Sequence, residues 1–143
     1  MASATPSRTR MNMCTAQRMI MKKLQEYFES SKGFGVLATA DSNGKVNAAI
    51  YSRPHFLEEE TVAFIMRDRL THHNLQSNSS ATFLFVEEGT GYQGKRLFLK
   101  KAREENNPDL VKKIKRRKYT DDNEEPTFLV YFTVEKELPL VGV

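Results

Sequence analysis

Two arginines and a threonine stand where an apolar run gives way to a helical pattern. The turn between the strand-like segment 61–66 and the helical pattern 70–78 contains Arg67, Asp68 and Arg69, and Thr71 lies at the start of the helical pattern. The first turn of a helix has unpaired backbone N–H groups and the positive end of the helix dipole, so anions bind there. With Asp68 suited to cap the helix, the sequence predicts a phosphate beside Arg67, Arg69 and Thr71. The alternative is an ordinary surface turn with exposed arginines.

The other candidates for chemistry form weaker patterns. His72 and His73 are adjacent and would point about 100° apart on a helix, and His55 has no Cys or carboxylate at ligand spacing. We therefore expect surface or packing histidines and no metal site. Cys14 and the absence of a nucleophile elbow give no support for covalent catalysis, so no catalytic residue is assigned. The acidic pairs at 121–122 and 124–125 are expected to be solvated charge.

The composition is typical of one soluble domain. The chain has 143 residues, of which 39% are hydrophobic, enough for a single core. No apolar run reaches the roughly 20 residues of a transmembrane helix, no hydrophobic signal segment follows the N-terminus, and Cys14 alone forms no internal disulfide. We therefore expect a cytoplasmic protein that does not enter a membrane.

The first 23 residues form a basic segment of distinct composition. They contain five Lys and Arg residues, no Asp or Glu, and several Ser and Thr. This composition is typical of an organellar transit peptide or of a frayed terminus. We favour the second interpretation, with a disordered tail over 1–15 and a single domain over 16–143.

Apolar periodicity divides the domain into helices and strands. The predicted helices are 15–31, 70–78 and a short one that begins at Pro108, and the predicted strands are 34–40, 46–52, 61–66, 81–86, 95–99 and 127–134. The sequence Asp-Ser-Asn-Gly at 41–44 is a strong hairpin turn, because Asn and Gly tolerate a positive φ. Pro54 cannot donate to a ladder, so the second strand should end or bulge near Arg53.

Gly89, Gly91 and Gly94 have the G-x-G-x-x-G spacing of dinucleotide-binding loops. That motif opens an apolar helix, whereas here the basic, β-like segment 95–99 follows, so we expect a hairpin loop. Six strands joined by hairpins, with short flanking helices, indicate a mainly β fold of the α+β kind. The predicted architecture is a small six-stranded antiparallel barrel.

Four segments of the chain together resemble a known family. They are Gly-Phe-Gly-Val-Leu-Ala-Thr-Ala at 33–40, Val-Asn-Ala-Ala-Ile-Tyr-Ser-Arg-Pro-His at 46–55, Phe-Ile-Met-Arg-Asp-Arg-Leu-Thr-His-His-Asn-Leu at 64–75, and Gly-Tyr-Gln-Gly-Lys-Arg-Leu at 91–97. In this order they look like the pyridoxamine 5'-phosphate oxidase-like family of FMN-binding split barrels. The resemblance covers about 24–134 and implies a six-stranded antiparallel split β-barrel. It also implies a homodimer with one FMN per subunit at the interface.

The resemblance further implies which residues contact the cofactor. The strand 47–53 would run along the isoalloxazine ring, and the turn 66–74 would hold the ribityl phosphate. The implied contacts are Asn47, Ile50, Tyr51, Ser52, Arg53, Met66, Arg67, Asp68, Arg69, Thr71, Asn74 and Arg96. Thr71 stands where the family commonly has a phosphate-binding lysine, so the positive charge would come from Arg67 or Arg69. We also expect Arg53 or His55 to turn towards the ring, unless Arg53 ends the strand in solvent.

These features favour an FMN-dependent oxidoreductase or electron carrier. A pyridoxamine-phosphate oxidase would also need a site for a second phosphate, usually basic residues near its C-terminus, and the chain ends Glu-Leu-Pro-Leu-Val-Gly-Val. We therefore expect a different small-molecule substrate or a redox partner.

Binding to nucleic acid is the alternative hypothesis. The net charge is +4, and basic residues at 95–103 and 112–118 are interleaved with Tyr92, Phe98 and Tyr119. Such a surface could bind phosphates and stack on bases. Acidic residues at 104–105 and 121–122 flank both clusters, so a solvated face is the ordinary explanation.

Overall fold

The computed structural model describes residues 4–89, 91–115 and 125–142, with side chains described from residue 16 onwards. The helices are α1 (Ala4–Ser30), α2 (Leu70–Ser77) and α3 (Pro108–Ile114). The strands are β1 (Gly33–Ala40), β2 (Val46–Tyr51), β3 (Val62–Arg67), β4 (Ser80–Glu87), β5 (Gly94–Glu105) and β6 (Thr127–Pro139).

All six strands belong to one antiparallel sheet with the order β2-β1-β4-β5-β6-β3. β2 and β3 are therefore its edge strands, yet the rings of Tyr51 on β2 and Phe64 on β3 meet edge to face with centroids 6.1 Å apart. The sheet must curl to bring its edges this close, and α2 packs against β1, β2 and β3. The predicted six-stranded antiparallel barrel is confirmed, open between β2 and β3.

Aromatic side chains fill the inside of the curled sheet. Phe64, Phe83 and Phe132 come from β3, β4 and β6 and are almost completely buried. Phe28 of α1 joins them, with its ring centroid 6.2 Å from that of Phe83. Buried aromatic rings contribute large apolar areas, so this cluster holds α1 against the sheet.

The first helix is longer than predicted. It begins at Ala4 rather than at residue 15, so helical backbone extends into the segment 1–15 that we expected to be a disordered tail. Ala, Arg, Gln and Met are good helix formers, and they recur from residue 8 onwards, beyond Pro6. The division into a tail over 1–15 and a domain over 16–143 stays a prediction.

The last two strands are also longer than predicted. β5 has 12 residues and β6 has 13, whereas the expected segments were 95–99 and 127–134. The two strands pair along almost their whole length, from Lys95 opposite Pro139 to Glu105 opposite Leu129, across two register irregularities. Backbone pairing with a long partner extends these strands through charged residues, which an apolar pattern does not predict.

The β1–β2 turn forms as predicted. Gly44 has a φ of 82°, and Asp41 Oδ1 accepts hydrogen bonds from the backbone N–H groups of Asn43 and Lys45, both at 2.9 Å. β2 then ends at Tyr51, before the proline at position 54, as expected.

The glycine-rich segment 89–94 connects two antiparallel strands. Gly89 and Gly91 have positive φ, and the strands on either side, β4 and β5, pair directly with each other. The prediction of a hairpin loop in place of a dinucleotide-binding loop is confirmed.

Candidate anion-binding site

The arginine turn lies between the end of β3 and the start of α2. Arg67 is the last residue of β3, and Arg69 is the N-cap of α2 in extended backbone geometry. Arg69 and not Asp68 is the N-cap residue, and it makes no side-chain capping hydrogen bond, so the prediction that Asp68 caps the helix is wrong. The Arg69 N–H donates to the Arg67 carbonyl at 2.9 Å. The Asp68 carboxylate instead lies 3.1 Å from His72 Nδ1.

Both arginines bind the carboxylate of Glu125. Arg67 Nη1 donates to Glu125 Oε2 at 2.6 Å. Arg69 donates through Nε to Oε1 and through Nη2 to Oε2, both at 3.1 Å. The hydrogen bonds from Arg69 and Arg67 hold the pKa of Glu125 below its usual value.

Glu125 is the residue of this site that sequence analysis missed. It belongs to the acidic segment that was expected to be solvated, and for Glu125 that expectation is wrong because two guanidinium groups bind its carboxylate. Asp121, Asp122 and Glu124 lie outside the described residues. Glu125 reaches the site through the pairing of β3 with β6. No local sequence pattern predicts that pairing, so no signal in the sequence indicated this residue.

Polar side chains from β2 and α2 meet beside the arginine turn. The buried Thr71 accepts a hydrogen bond from Asn47 Nδ2 at 3.3 Å. Burial raises the pKa of Tyr51, and the Thr71 hydroxyl and the Arg69 charge partly oppose this increase. Five of the predicted site residues are thus brought together: Asn47, Tyr51, Arg67, Arg69 and Thr71.

Other predicted site residues face elsewhere. Met66 is buried in the core, and the buried Asn74 donates through Nδ2 to Thr39 Oγ1 at 3.1 Å. These two side chains hold β3 and α2 in place and do not line the turn. Ile50 lies on the outer face of β2, opposite to Asn47, because strand side chains alternate, and the exposed Ser52 directly follows β2.

The two remaining predicted arginines contact backbone carbonyl groups. Arg53 Nη1 donates to the carbonyl oxygens of Phe28 and Ser31, both at 2.7 Å, at the C-terminal end of α1. Arg96 donates through Nε to the Pro139 carbonyl at 2.9 Å and through Nη2 to that of Gly142. Contact of either arginine with a cofactor stays a prediction.

Proteins of known structure share the fold of this chain but little of its sequence. No protein-family model matches the chain, and no curated protein sequence matches it. Among solved structures, an FMN-binding protein from Syntrophomonas wolfei subsp. wolfei has a TM-score of 0.68 at 18% identity, over 96% of this chain and 97% of that one. A protein named F420 reductase has a TM-score of 0.62 at 15% identity, over 79% and 94%. A candidate pyridoxamine 5'-phosphate oxidase from Listeria innocua has a TM-score of 0.60 at 14% identity, and the match covers 85% of this chain and 98% of that one.

The chain has the FMN-binding split-barrel fold. The resemblance inferred from its sequence motifs is therefore confirmed at the level of the fold. Within the described residues of this split barrel, no helix is long and apolar enough to cross a membrane. Among the same residues, no group of three His, Cys, Asp or Glu side chains is arranged to hold a metal ion.

A buried histidine supports the far side of α2 in this split barrel. His72 Nε2 lies 2.9 Å from Glu104 Oε2, and its ring stacks on Phe128 at a centroid distance of 4.1 Å. Burial alone would raise the pKa of Glu104, but hydrogen bonds from Gln76, Lys101 and His72 outweigh it and lower the pKa to about 2. His72 is thus a packing residue, as predicted, and it fixes the helix that presents Thr71.

Proposed function

We propose that this protein is an FMN-binding flavoprotein that acts as an oxidoreductase or electron carrier. The observation that carries the proposal is the convergence of Arg67 and Arg69 on one carboxylate at the start of α2. Carboxylates and phosphates are both oxyanions that accept charge-assisted hydrogen bonds from guanidinium groups. The carboxylate of Glu125 thus occupies the position that we propose for a phosphate.

The residues of the turn fit the ribityl phosphate of FMN. Arg67 and Arg69 would hold its oxygen atoms by charge, and the Thr71 hydroxyl and the first-turn N–H groups of α2 would add neutral donors. The likeness in fold to an FMN-binding protein over nearly the whole chain supports FMN as the ligand. F420 is the second cofactor to test, because a protein named F420 reductase shares the fold.

The position of β2 supports a flavin ring bound along this strand. β2 is an edge strand of the described sheet, so every second residue directs its backbone N–H and C=O groups away from β1. These groups can bond to the polar rim of an isoalloxazine ring. Asn47 and Tyr51 on one face and Ile50 on the other would border the ring. Bound FMN supplies hydride or electron transfer, and the protein sets its orientation and access to substrate.

The outer face of β1 and β2 supports a homodimer. Phe34, Val46 and Ile50 are 53%, 80% and 71% exposed, and Val36 lies directly opposite Ile50 in the ladder. A contiguous apolar sheet face is usually covered by a partner. A two-fold axis lets the same face cover itself, so we propose a second copy of the chain as its occupant. That copy would also enclose the free edge of β2, where the ring is proposed to bind.

Nucleic-acid binding has weaker support. In the described residues, several basic side chains of the segment 95–103 pair with carboxylates. The shortest of these pairs are Lys95 with Glu137 at 2.7 Å and Lys101 with Glu104 at 2.5 Å. Charges that are paired internally contribute less to the binding of a phosphate backbone. In the second basic cluster, residues 116–118 and Tyr119 lie outside the described residues. A cytoplasmic location stays a prediction.

Reconstitution with FMN tests the proposed function. The purified protein should take up about one FMN per chain with a Kd below about 10 µM, with a shifted flavin absorbance and quenched fluorescence. Riboflavin, which lacks the phosphate, should bind more weakly. No binding of FMN at tens of micromolar would refute the proposal, and binding of F420 alone would replace the cofactor.

A further inference from the structure

The anion site contains an anion from the protein itself. Glu125 uses both carboxylate oxygen atoms on the arginine pair, and its side chain is only 31% exposed. The Arg69 contact is bidentate, through Nε and Nη2, which is the geometry that a guanidinium group also offers to phosphate. The donors that a phosphate would use are therefore already bound.

The charges at the turn indicate that a phosphate would compete with Glu125 for the two arginines. Arg67 and Arg69 carry two positive charges and Glu125 one negative charge, so one net positive charge remains on the three groups. Asp68 adds a nearby carboxylate, which lies against His72. A phosphate that enters beside Glu125 meets a like charge, whereas one that displaces it meets two guanidinium groups.

We propose that Glu125 determines the selectivity of the arginine pair by occupying it until a dianionic phosphate monoester displaces the carboxylate. The inference rests on the proposed function, because it concerns the same phosphate site. Singly charged anions compete poorly with a tethered carboxylate, whose local concentration is high. A phosphate that carries two charges, on a ligand that also binds along β2, gains enough binding free energy to displace the carboxylate of Glu125.

An orienting role for Glu125 would have the opposite consequence. If the carboxylate held Arg67 and Arg69 in position for a phosphate bound to their other donors, its removal would loosen the guanidinium groups and weaken binding. The sign of the change in affinity therefore separates competition from orientation.

The test is a binding series with Glu125→Gln, which keeps the shape of the side chain and removes its charge. FMN should bind about tenfold more tightly to this variant, and riboflavin should change by less than about twofold. Inorganic phosphate, followed by ³¹P NMR line broadening, should also bind more tightly. The matched control is Glu58→Gln, which removes another ion-paired glutamate near the opposite end of β3 and should change none of these affinities.

Weaker or unchanged binding of FMN by a folded Glu125→Gln protein would overturn the proposal. Glu125→Ala gives the same test without an amide that could still bind the arginines. If neither variant folds, the Arg69 Nε–H signal of the wild-type protein must shift on titration with inorganic phosphate, and a constant signal rejects the displacement. Tighter binding of inorganic phosphate without any flavin binding would support the proposed competition by Glu125 and reject the proposed flavoprotein function. Flavin binding without an effect of Glu125→Gln would do the reverse.

Discussion

Arg67 and Thr127 are opposite each other in the β3–β6 ladder, and this register places Glu125 beside the arginine turn. Arg69 follows Arg67 by two residues and Glu125 precedes Thr127 by two, so continuation of the antiparallel pairing brings Arg69 and Glu125 together. Arg67 and Glu125 are 58 positions apart in the sequence. The composition of the site therefore depends on sheet topology as well as on the local motif.

Replacement of Arg69 should weaken the binding of the FMN phosphate and leave the binding of the rest of the flavin nearly unchanged. Arg69→Ala is expected to weaken FMN binding by about five- to tenfold and to leave riboflavin binding nearly unchanged, because only FMN carries the charged group. Release of Glu125 from the same guanidinium group reduces the net loss. Fluorescence titration measures both affinities, and Arg103→Ala, which removes another ion-paired arginine, is the control. Equal losses for the two flavins would place the phosphate elsewhere.

Local patterns were sufficient for the type and order of the elements, but not for the full length of α1, β5 and β6 or for every side-chain role. The end of β2 before Pro54, the Gly44 turn and the helix that begins at Pro108 each follow from the backbone limits of one or two residues. The strand–turn–helix order around Arg67 and Arg69 was also visible locally, and the structure brings both arginines to one point.

The roles that were not foreseen depend on contacts between distant elements. Asn74 bonds to Thr39 on β1, which requires α2 to lie inside the curl of the sheet. Arg53 bonds to carbonyl groups at the end of α1, more than 20 positions earlier in the chain. Neither contact leaves a periodic signal, because each depends on tertiary packing and not on the conformation of neighbouring residues.

Acid should weaken the attachment of α2 to β5 through Glu104. Its pKa in the folded protein, about 2, lies below the ordinary value of 4.5, so the carboxylate stabilises the fold above about pH 5 and this contribution is lost as the pH falls towards 2. Glu104→Gln should therefore lower the free energy of unfolding near pH 7 by about 1–2 kcal/mol. Urea unfolding at a series of pH values should show the two proteins converging near pH 2. A constant gap, or an equal effect of the exposed-site variant Glu60→Gln, would contradict this.

The hydrogen bond between Asn74 and Thr39 should contribute to stability and not directly to ligand contact. Both side chains are buried, so Asn74→Ala leaves a hydroxyl group with a lost partner and should cost about 1–3 kcal/mol. His73→Ala changes an exposed side chain on the same helix and should cost little. Urea unfolding of both variants, with Thr39→Ala to complete a double-mutant cycle, measures the coupling. No coupling between Asn74 and Thr39 would contradict this role.

Replacement of Arg53 distinguishes a structural role from a role beside the flavin. Its Nη1 serves two carbonyl oxygens at the C-terminal end of α1, so Arg53→Ala should lower the free energy of unfolding, by about 1–3 kcal/mol. The midpoint potential of bound FMN should stay unchanged in a potentiometric titration. A lower potential at unchanged stability would instead place the guanidinium group beside the isoalloxazine ring, as the sequence motif led us to expect.

A charge on the outer face of β2 should prevent dimer formation. Ile50→Glu would place two carboxylates near each other across a two-fold interface, where burial without a partner is costly. Light scattering should give about twice the 16.4 kDa chain mass for the wild-type protein and the single mass for the variant. Met19→Glu, at an exposed apolar position on α1, is the control and should remain dimeric. FMN affinity should fall together with the dimer, because the second copy is proposed to enclose the edge of β2. A monomeric Ile50→Glu protein that binds FMN as tightly as the wild type would show that the ring does not lie at the interface.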